Sequence, residues 1–496
     1  MASRPTTLGA LRASGHHDRT VKQEVAANVA ARLSRGLPVV DGLVGFDDTV
    51  LPALETALLA GHDLILLGER GQAKSRILRS LVTLLDELVP VVAGSEVHDH
   101  PFHPFSAQAR AAVAEFGDDT PIAWLAREQR FAEKLATPDI AVADLIGDID
   151  PIKVAEGRHL ADEDTIHFGL VPRHNRGIVA INELPDLAER IQVALLNVME
   201  ERDVQIRGYS LRLPLDLLVV ATANPEDYTN RGRIITPLKD RFGAEVRTHY
   251  PLRLAEEVAV MRQEANLPRA SPSPAAGPAS HPGGIIPDSP AAGPAAHPGG
   301  IIPEVPGFMA EVLGAFTCAL RGAPEVNQRS GVSVRFSVAN YETLAASALR
   351  RALRTGEWRA VARPADLAQV LSAGSGKVEF ETYEEGREAE VLERLLRRAL
   401  LEVFRRRTGG VDLSGIVERF DSGLSVESGD LVGADELLGQ LDRVPGLAHL
   451  LAALEVSEES PPLAAAALEF ALEGLHLTRR IDRDDLGPGA FRYSGG

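Results

Sequence analysis

Cysteine is all but missing: Cys318 is the only one in 496 residues. A lone thiol excludes an intramolecular disulfide and any all-cysteine metal site, and it suits a reducing compartment such as the cytoplasm. No apolar run approaches the ~18 residues that a membrane helix needs. The opening MASRPTTLGALRASGHHDRT lacks the apolar core of a secretory signal. Positive charge is also in deficit. A formal net charge of −18 argues against broad electrostatic attachment to nucleic acid or acidic lipid. The arginine-rich stretch Arg394–Arg407 is a local exception, and its spacing suits an exposed helix face. The rest is ordinary: 45% hydrophobic and 25% charged residues describe a globular chain long enough for two or more packed units.

Residues 35–252 alternate short apolar runs with helical patterns, the signature of a three-layer αβα domain. Asp63–Leu67, Gly177–Asn182 and Leu217–Asn224 read as buried strands, with helices predicted over Lys74–Leu88 and Leu184–Arg202. Val204–Leu213 alternates around Gly208 as a hairpin does. The preceding residues 1–34 are expected to be a partly disordered segment. A helix after 253 leads into Ala275–Pro290 (AAGPASHPGGIIPDSP), followed at once by Ala291–Pro306 (AAGPAAHPGGIIPEVP). This tandem duplication is dense in Pro, Gly and Ala, and is expected to be disordered up to residue 306. Residues 307–406 read as a helical lid with following helices, and 407–496 as a further helical region.

Three segments carry chemistry. Gly68-Glu69-Arg70-Gly71-Gln72-Ala73-Lys74-Ser75 follows a strand and opens a helix, the context of a phosphate-binding loop. Such a loop needs backbone N–H groups turned inward, a lysine for the outer phosphates and a hydroxyl for Mg²⁺. Ala73 stands where glycine is usual, and its methyl is tolerable if φ there is negative. Gly177–Glu183 (GIVAINE) is a buried strand ending in polar groups, placing Asn182 at the metal and Glu183 on the attacking water. Asparagine at 182 keeps an oxygen for a metal-bound water but lacks the charge of aspartate. Asn224, just before Pro225, offers an amide to the phosphate or the water, although Asn-Pro is also an ordinary turn starter. The run His98-Asp99-His100-Pro101-Phe102-His103 has metal-ligand residue types but the spacing of a loop.

In this order these elements resemble the AAA+ ATPases of the MoxR and magnesium-chelatase I-subunit group, over roughly Leu43 to Arg350. The resemblance implies an α/β P-loop NTPase core with a helical lid, with ATP and Mg²⁺ as cofactors. It assigns Val44 and Gly45 to the adenine side, the hairpin insert to Asp144–Val171, and a second hairpin to Val204–Leu213. Thr236–Gly243 (TPLKDRFG) is similar to the arginine-finger segment, giving that role to Arg241, with Arg231 and Arg233 nearby as sharers. Arg335, in GVSVRFS, resembles the second sensor arginine. A homo-oligomeric ring, in all expectation a hexamer, and a partner protein with a von Willebrand A-type domain are further implications. No membrane or direct nucleic-acid partner is expected.

Two other readings stand beside this one. Ala73 and Asn182 suit a nucleotide-binding scaffold with little hydrolysis. Gly314-Ala315-Phe316-Thr317 partly matches a polymerase-contacting loop of ATP-driven transcriptional activators, but it falls after the Pro/Gly duplication.

Overall fold

A computed structural model describes residues 4–149, 165–201, 204–206, 209–211, 213–225, 234–268, 301–327, 330–374, 376–381, 386–441, 446–457, 459–487 and 489–495. The chain divides into two compact units, Met1–Tyr250 and Pro251–Gly496.

The first unit is built on five strands, Leu64–Leu67, Phe131–Leu135, Gly177–Asn182, Leu217–Ala223 and Ala244–Arg247. All pair in parallel, and in space they run fifth, first, fourth, third, second. The near-continuous apolar runs of the three central strands, Leu64–Leu67, Gly177–Asn182 and Leu217–Ala223, follow from burial on both faces. Alternate residues go opposite ways. Leu64, Leu66, Ile178, Ala180, Leu218 and Val220 pack with helices Val21–Leu33, Val50–Leu59 and Lys74–Ser80. Ile65, Leu67, Val179, Ile181, Val219 and Ala221 pack with helix Glu189–Glu201. The result is a three-layer αβα fold on a parallel sheet. Its strand order reverses beside Leu64–Leu67, the place where open α/β sheets bind ligands beyond their carboxyl ends.

Two expectations are corrected in this unit. The amino-terminal segment is ordered from residue 4, with helices Leu8–Ala13 and Val21–Leu33. Thr20 and Gln23 cap the latter reciprocally. Lys22 Nζ pairs with Asp63 at 2.7 Å, and the Val21 N–H donates to Asp216 at 2.8 Å, so the helix is tied to two strand starts. The helix after Lys74 is also shorter than its pattern suggested. It ends at Ser80, passes through a 3₁₀ turn Leu81–Leu84, and gives way to strand Leu88–Val92. The Glu24 carboxylate accepts the Asp86 N–H at 2.5 Å and fixes this exit. Of the insert, Gly147–Ile149 and Ile166–Phe168 pair as an antiparallel ribbon, while 150–164 lie outside the described residues. The second hairpin pairs Val204–Ile206 with Tyr209–Leu211.

The second unit is led by helices Leu254–Glu264, Gly307–Arg321, Val334–Thr355, Glu388–Thr408 and Pro461–Leu477 around one apolar core. Most of the tandem duplication lies outside the described residues, but 301–306 are anchored, contrary to expectation. Val305, which replaces the Ser289 of the first copy, is buried in the core. Glu304 exchanges backbone bonds with Ala360 and Ala362 at 2.8 and 2.9 Å. Residues 407–496 are mixed rather than helical throughout. Ser425–Gly429, Ala490–Ser494 and Asp482–Gly487 form an antiparallel sheet, sealed by buried Tyr493, whose hydroxyl donates to Glu473 at 2.7 Å. Gly314–Thr317 are buried inside helix Gly307–Arg321 and so form no exposed contact loop.

Among the described residues no helix is long and apolar enough to cross a membrane.

Candidate functional site

The site begins where strand Leu64–Leu67 ends and helix Lys74–Ser80 starts. The Gly68 N–H donates to the Ala223 carbonyl at 3.2 Å, fixing the loop to the neighbouring strand. A Cβ on Gly68 would lie 1.9 Å from Thr248 Oγ1, so only glycine fits. Gly71 turns with φ +80°. Buried Gln72 folds back, its Oε1 accepting the Glu69 N–H at 2.9 Å and the Thr248 hydroxyl at 3.0 Å. These bonds brace the loop from inside.

Ala73 has φ +57° and ψ +11°, the left-handed region, not the negative φ that would make its methyl harmless. An L-residue there costs about 1–2 kcal/mol. The surrounding fold holds this strain, a common property of functional loops. Lys74 Nζ donates to the carbonyls of Gly68 and Glu69, the latter at 2.7 Å, and to Asn224 Oδ1 at 2.9 Å. Ser75 sits half-buried in the first turn of the same helix.

Two strands over, Asn182 and Glu183 end strand Gly177–Asn182. Glu183 is also left-handed, with φ +56° and ψ +47°. Its N–H donates to Thr222 Oγ1 at 3.0 Å, and the Thr222 hydroxyl donates to Asn182 Oδ1 at 3.3 Å. Asn182 Nδ2 donates to Glu133 Oε1 at 2.5 Å. Arg79, one turn beyond Ser75, clamps the Glu133 carboxylate with Nε at 2.6 Å and Nη2 at 2.9 Å. The phosphate-type loop, Lys74, Asn224, Asn182 and Glu183 are therefore brought to the carboxyl ends of three adjacent strands. Thr248, Thr222, Glu133 and Arg79 complete the arrangement and were not singled out from sequence.

The other expected residues stand elsewhere. Val44 and Gly45, with φ +79° at Gly45, precede buried Phe46, which meets the His249 ring edge-on at 5.0 Å. Arg241 closes helix Thr236–Arg241 and is ion-paired with Glu200 at the far end of helix Glu189–Glu201, both half-exposed. Arg335 is exposed in the first turn of helix Val334–Thr355, in the second unit. Arg231 and Arg233 lie outside the described residues. Beside the cradle is a hollow of about 390 Å³ lined in part by Gly68, Glu69, Gln72, Lys239 and Arg247.

The histidine run folds as a braced loop. Asp99 accepts from the Phe105 and Ser106 N–H groups and from the Ser95 and Ser106 hydroxyls, at 2.6–2.9 Å. His100 and His103 meet Asp18 at 2.8 and 3.3 Å. His100 Nδ1 accepts the Phe102 N–H at 3.1 Å, so the ring proton sits on Nε2, facing Asp18. That tautomer offers no lone pair to a metal at this point. Burial, then the Arg176 charge, pushes the His100 pKa from 6.5 down to about 4. The unfolded chain thus binds a proton that the folded chain refuses between these values, and stability falls as pH drops through them. Acidification from pH 7 to 5 is expected to remove about 2 kcal/mol through His100. Urea unfolding at the two pH values checks this; His100→Asn should lose less than the parent.

Residues 125–243 match the family described as "ATPase family associated with various cellular activities (AAA)". The chain is 28% identical over 214 residues to the magnesium-chelatase subunit ChlI of Anabaena variabilis, covering 42% of this chain and 59% of that protein. It is 30% identical over 187 residues to chloroplastic ChlI-1 of Arabidopsis thaliana, covering 36% and 40%. The chain thus spans about half the length of the curated relatives it matches. A cryo-EM-based structure of the BchI and BchD subunits of magnesium chelatase is 26% identical, with 45% and 64% covered and a TM-score of 0.34.

Proposed function

We propose, from the premise that this chain is an AAA+ ATPase of the magnesium-chelatase I-subunit group, that it binds ATP at Gly68–Ser75 and hydrolyses it within a ring of its own copies. The carrying observation is the Lys74 ammonium, held at the mouth of a glycine loop among oxygens of Gly68, Glu69 and Asn224. An anionic phosphate tail would draw the lysine from these neutral acceptors, while inward N–H groups of the loop bind the inner phosphates. Val44 and Gly45 would border the adenine.

The donor set also fits Mg²⁺. Ser75 Oγ and Asn182 Oδ1 are hard oxygen donors, the type that holds this ion directly or through water. Bound there, the ion would neutralise charge on the transferring phosphoryl group. Glu183 is the general base: its backbone is pinned by Thr222, and its carboxylate takes the proton of the attacking water. Asn224 positions that water or the outermost phosphate. Arg241 serves the nucleotide of the neighbouring copy, leaving Glu200 as it does so, and Arg335 would take the second-sensor role that its segment resembles.

Hydrolysis would drive remodelling of a partner protein in the cytoplasm, in a hexameric ring working with a von Willebrand A-type protein. Whether a metal is inserted anywhere depends on the client and not on this fold. The test is titration with a fluorescent ATP analogue, alongside light scattering with and without nucleotide. Lys74→Ala is expected to weaken binding on the order of 10–100-fold, since each charge-assisted bond is worth about 1.5–3 kcal/mol. Equal affinity of the two proteins would sink the assignment. A particle mass unchanged by ATP would sink the ring.

A further inference from the structure

Asn182 leaves the metal side of the site without the charge an aspartate would bring, yet a carboxylate stands against it. We propose that Glu133, on the adjacent strand, supplies the metal-site carboxylate of this chain in place of an acid at 182; the inference rests on the nucleotide-site reading above.

The sheet register places Leu135 opposite Asn182 and Glu133 opposite Ala180. The longer glutamate side chain climbs that one step, and its Oε1 accepts the Asn182 amide at 2.5 Å. The bond orients the carboxamide. With Nδ2 committed to Glu133, Oδ1 turns toward Thr222, whose hydroxyl donates to it at 3.3 Å. Carboxylate and carboxamide have in effect exchanged strands. From the opposite side, Arg79 reaches Glu133 from the helix that carries Ser75. Ser75 and Arg79 are four residues apart and share one helix face. Arg79 thus links the helix that carries Ser75 to Glu133 and, through it, to Asn182.

The ion pair is suited to be exchanged. The Arg79 side chain is 66% exposed, whereas that of Glu133 is 22% exposed. An exposed guanidinium is held weakly by a single carboxylate, because water competes for it. Arg79 balances the charge of Glu133 while no dication is present. With a dication held by Ser75 and Asn182, Glu133 would supply the balancing negative charge in place of its pairing with Arg79. An ordinary surface ion pair would predict none of this, since it would do no more than tie helix to strand.

The experiment measures fluorescent-nucleotide affinity against Mg²⁺ concentration for the full chain and four variants. Glu133→Gln is expected to raise the half-saturating Mg²⁺ concentration roughly 10–100-fold, the usual loss on removing an outer partner of a metal site. Its affinity without Mg²⁺ should stay unchanged, which also shows that the site is folded. Arg79→Ala keeps the carboxylate and should leave the Mg²⁺ requirement equal or lower. Asn182→Asp combined with Glu133→Gln should restore the requirement of the parent, with Asn182→Asp alone as its control. An unchanged Mg²⁺ requirement in Glu133→Gln overturns the inference, as does an equal shift in Arg79→Ala. A parent chain that binds nucleotide identically with and without Mg²⁺ overturns it as well, leaving the nucleotide site standing. A parent chain that binds no nucleotide overturns both.

Discussion

Glu183→Gln should slow steady-state phosphate release by roughly 10²–10⁴-fold while leaving nucleotide bound, the range for loss of a general base. The substitution keeps the size of the side chain and removes its basicity. The position itself should persist, because the contact that sets it is the backbone N–H of residue 183 to Thr222 Oγ1. Its left-handed backbone, φ +56°, turns the chain out of the strand beside the Thr222–Asn182 bond. Asn224 lies at the end of the next strand, already bonded to Lys74. A water between these groups would meet base and phosphate together. Phosphate release at the same background level in parent and variant would remove the enzyme reading and leave the nucleotide-binding scaffold. Ring-dependent release that survives in the variant would move the base elsewhere.

Replacing Arg130 by Met is expected to destabilise the first unit by about 3–5 kcal/mol, the cost of stranding one member of a buried ion pair. Arg130 is fully buried and Glu24 nearly so. The two meet end-on, Nη1 to Oε1 at 2.8 Å and Nη2 to Oε2 at 2.6 Å, while Arg130 Nε donates to the Arg176 carbonyl at 2.6 Å. Without the guanidinium, Glu24 keeps the Asp86 N–H and loses its directly bonded counter-ion, with only the Arg176 charge left in its surroundings. Removing both partners, as Glu24→Leu with Arg130→Met, should cost less than either single change. Urea unfolding followed by Trp124 fluorescence in a Trp358→Phe background reads this out. A loss under ~1 kcal/mol in the single variant would mean that water reaches the pair.

That pair also marks the boundary of what the sequence discloses. The cradle was legible because its parts are contiguous: an apolar strand, then two glycines, a lysine and a serine within the next eight residues. Glu183 and Asn224 could be added because each ends a buried strand, and strand ends in a parallel sheet converge. Glu24 and Arg130 lie 106 residues apart. Neither has a local pattern that distinguishes it from a surface charge, and Glu24 even looked like part of a loose leader. Thr248 and Gln72 are separated by 176 residues and meet only once the fifth strand is laid beside the first. Glu133 was missed for the same reason. The negative φ asked of Ala73 failed because backbone sign at a single non-glycine residue is set by the whole loop. The carboxyl-terminal sheet escaped notice because strands such as Ser425–Gly429 and Ala490–Ser494 are five residues long, too short to show a period among helices.

Lys74 has one more implication. Its ammonium already has company in three oxygens of its own chain. Under the proposed assignment, a bound phosphate chain would gain the lysine by replacing these oxygens, so the cradle would favour a polyphosphate long enough to reach Nζ and would act as a ruler before it reads a base.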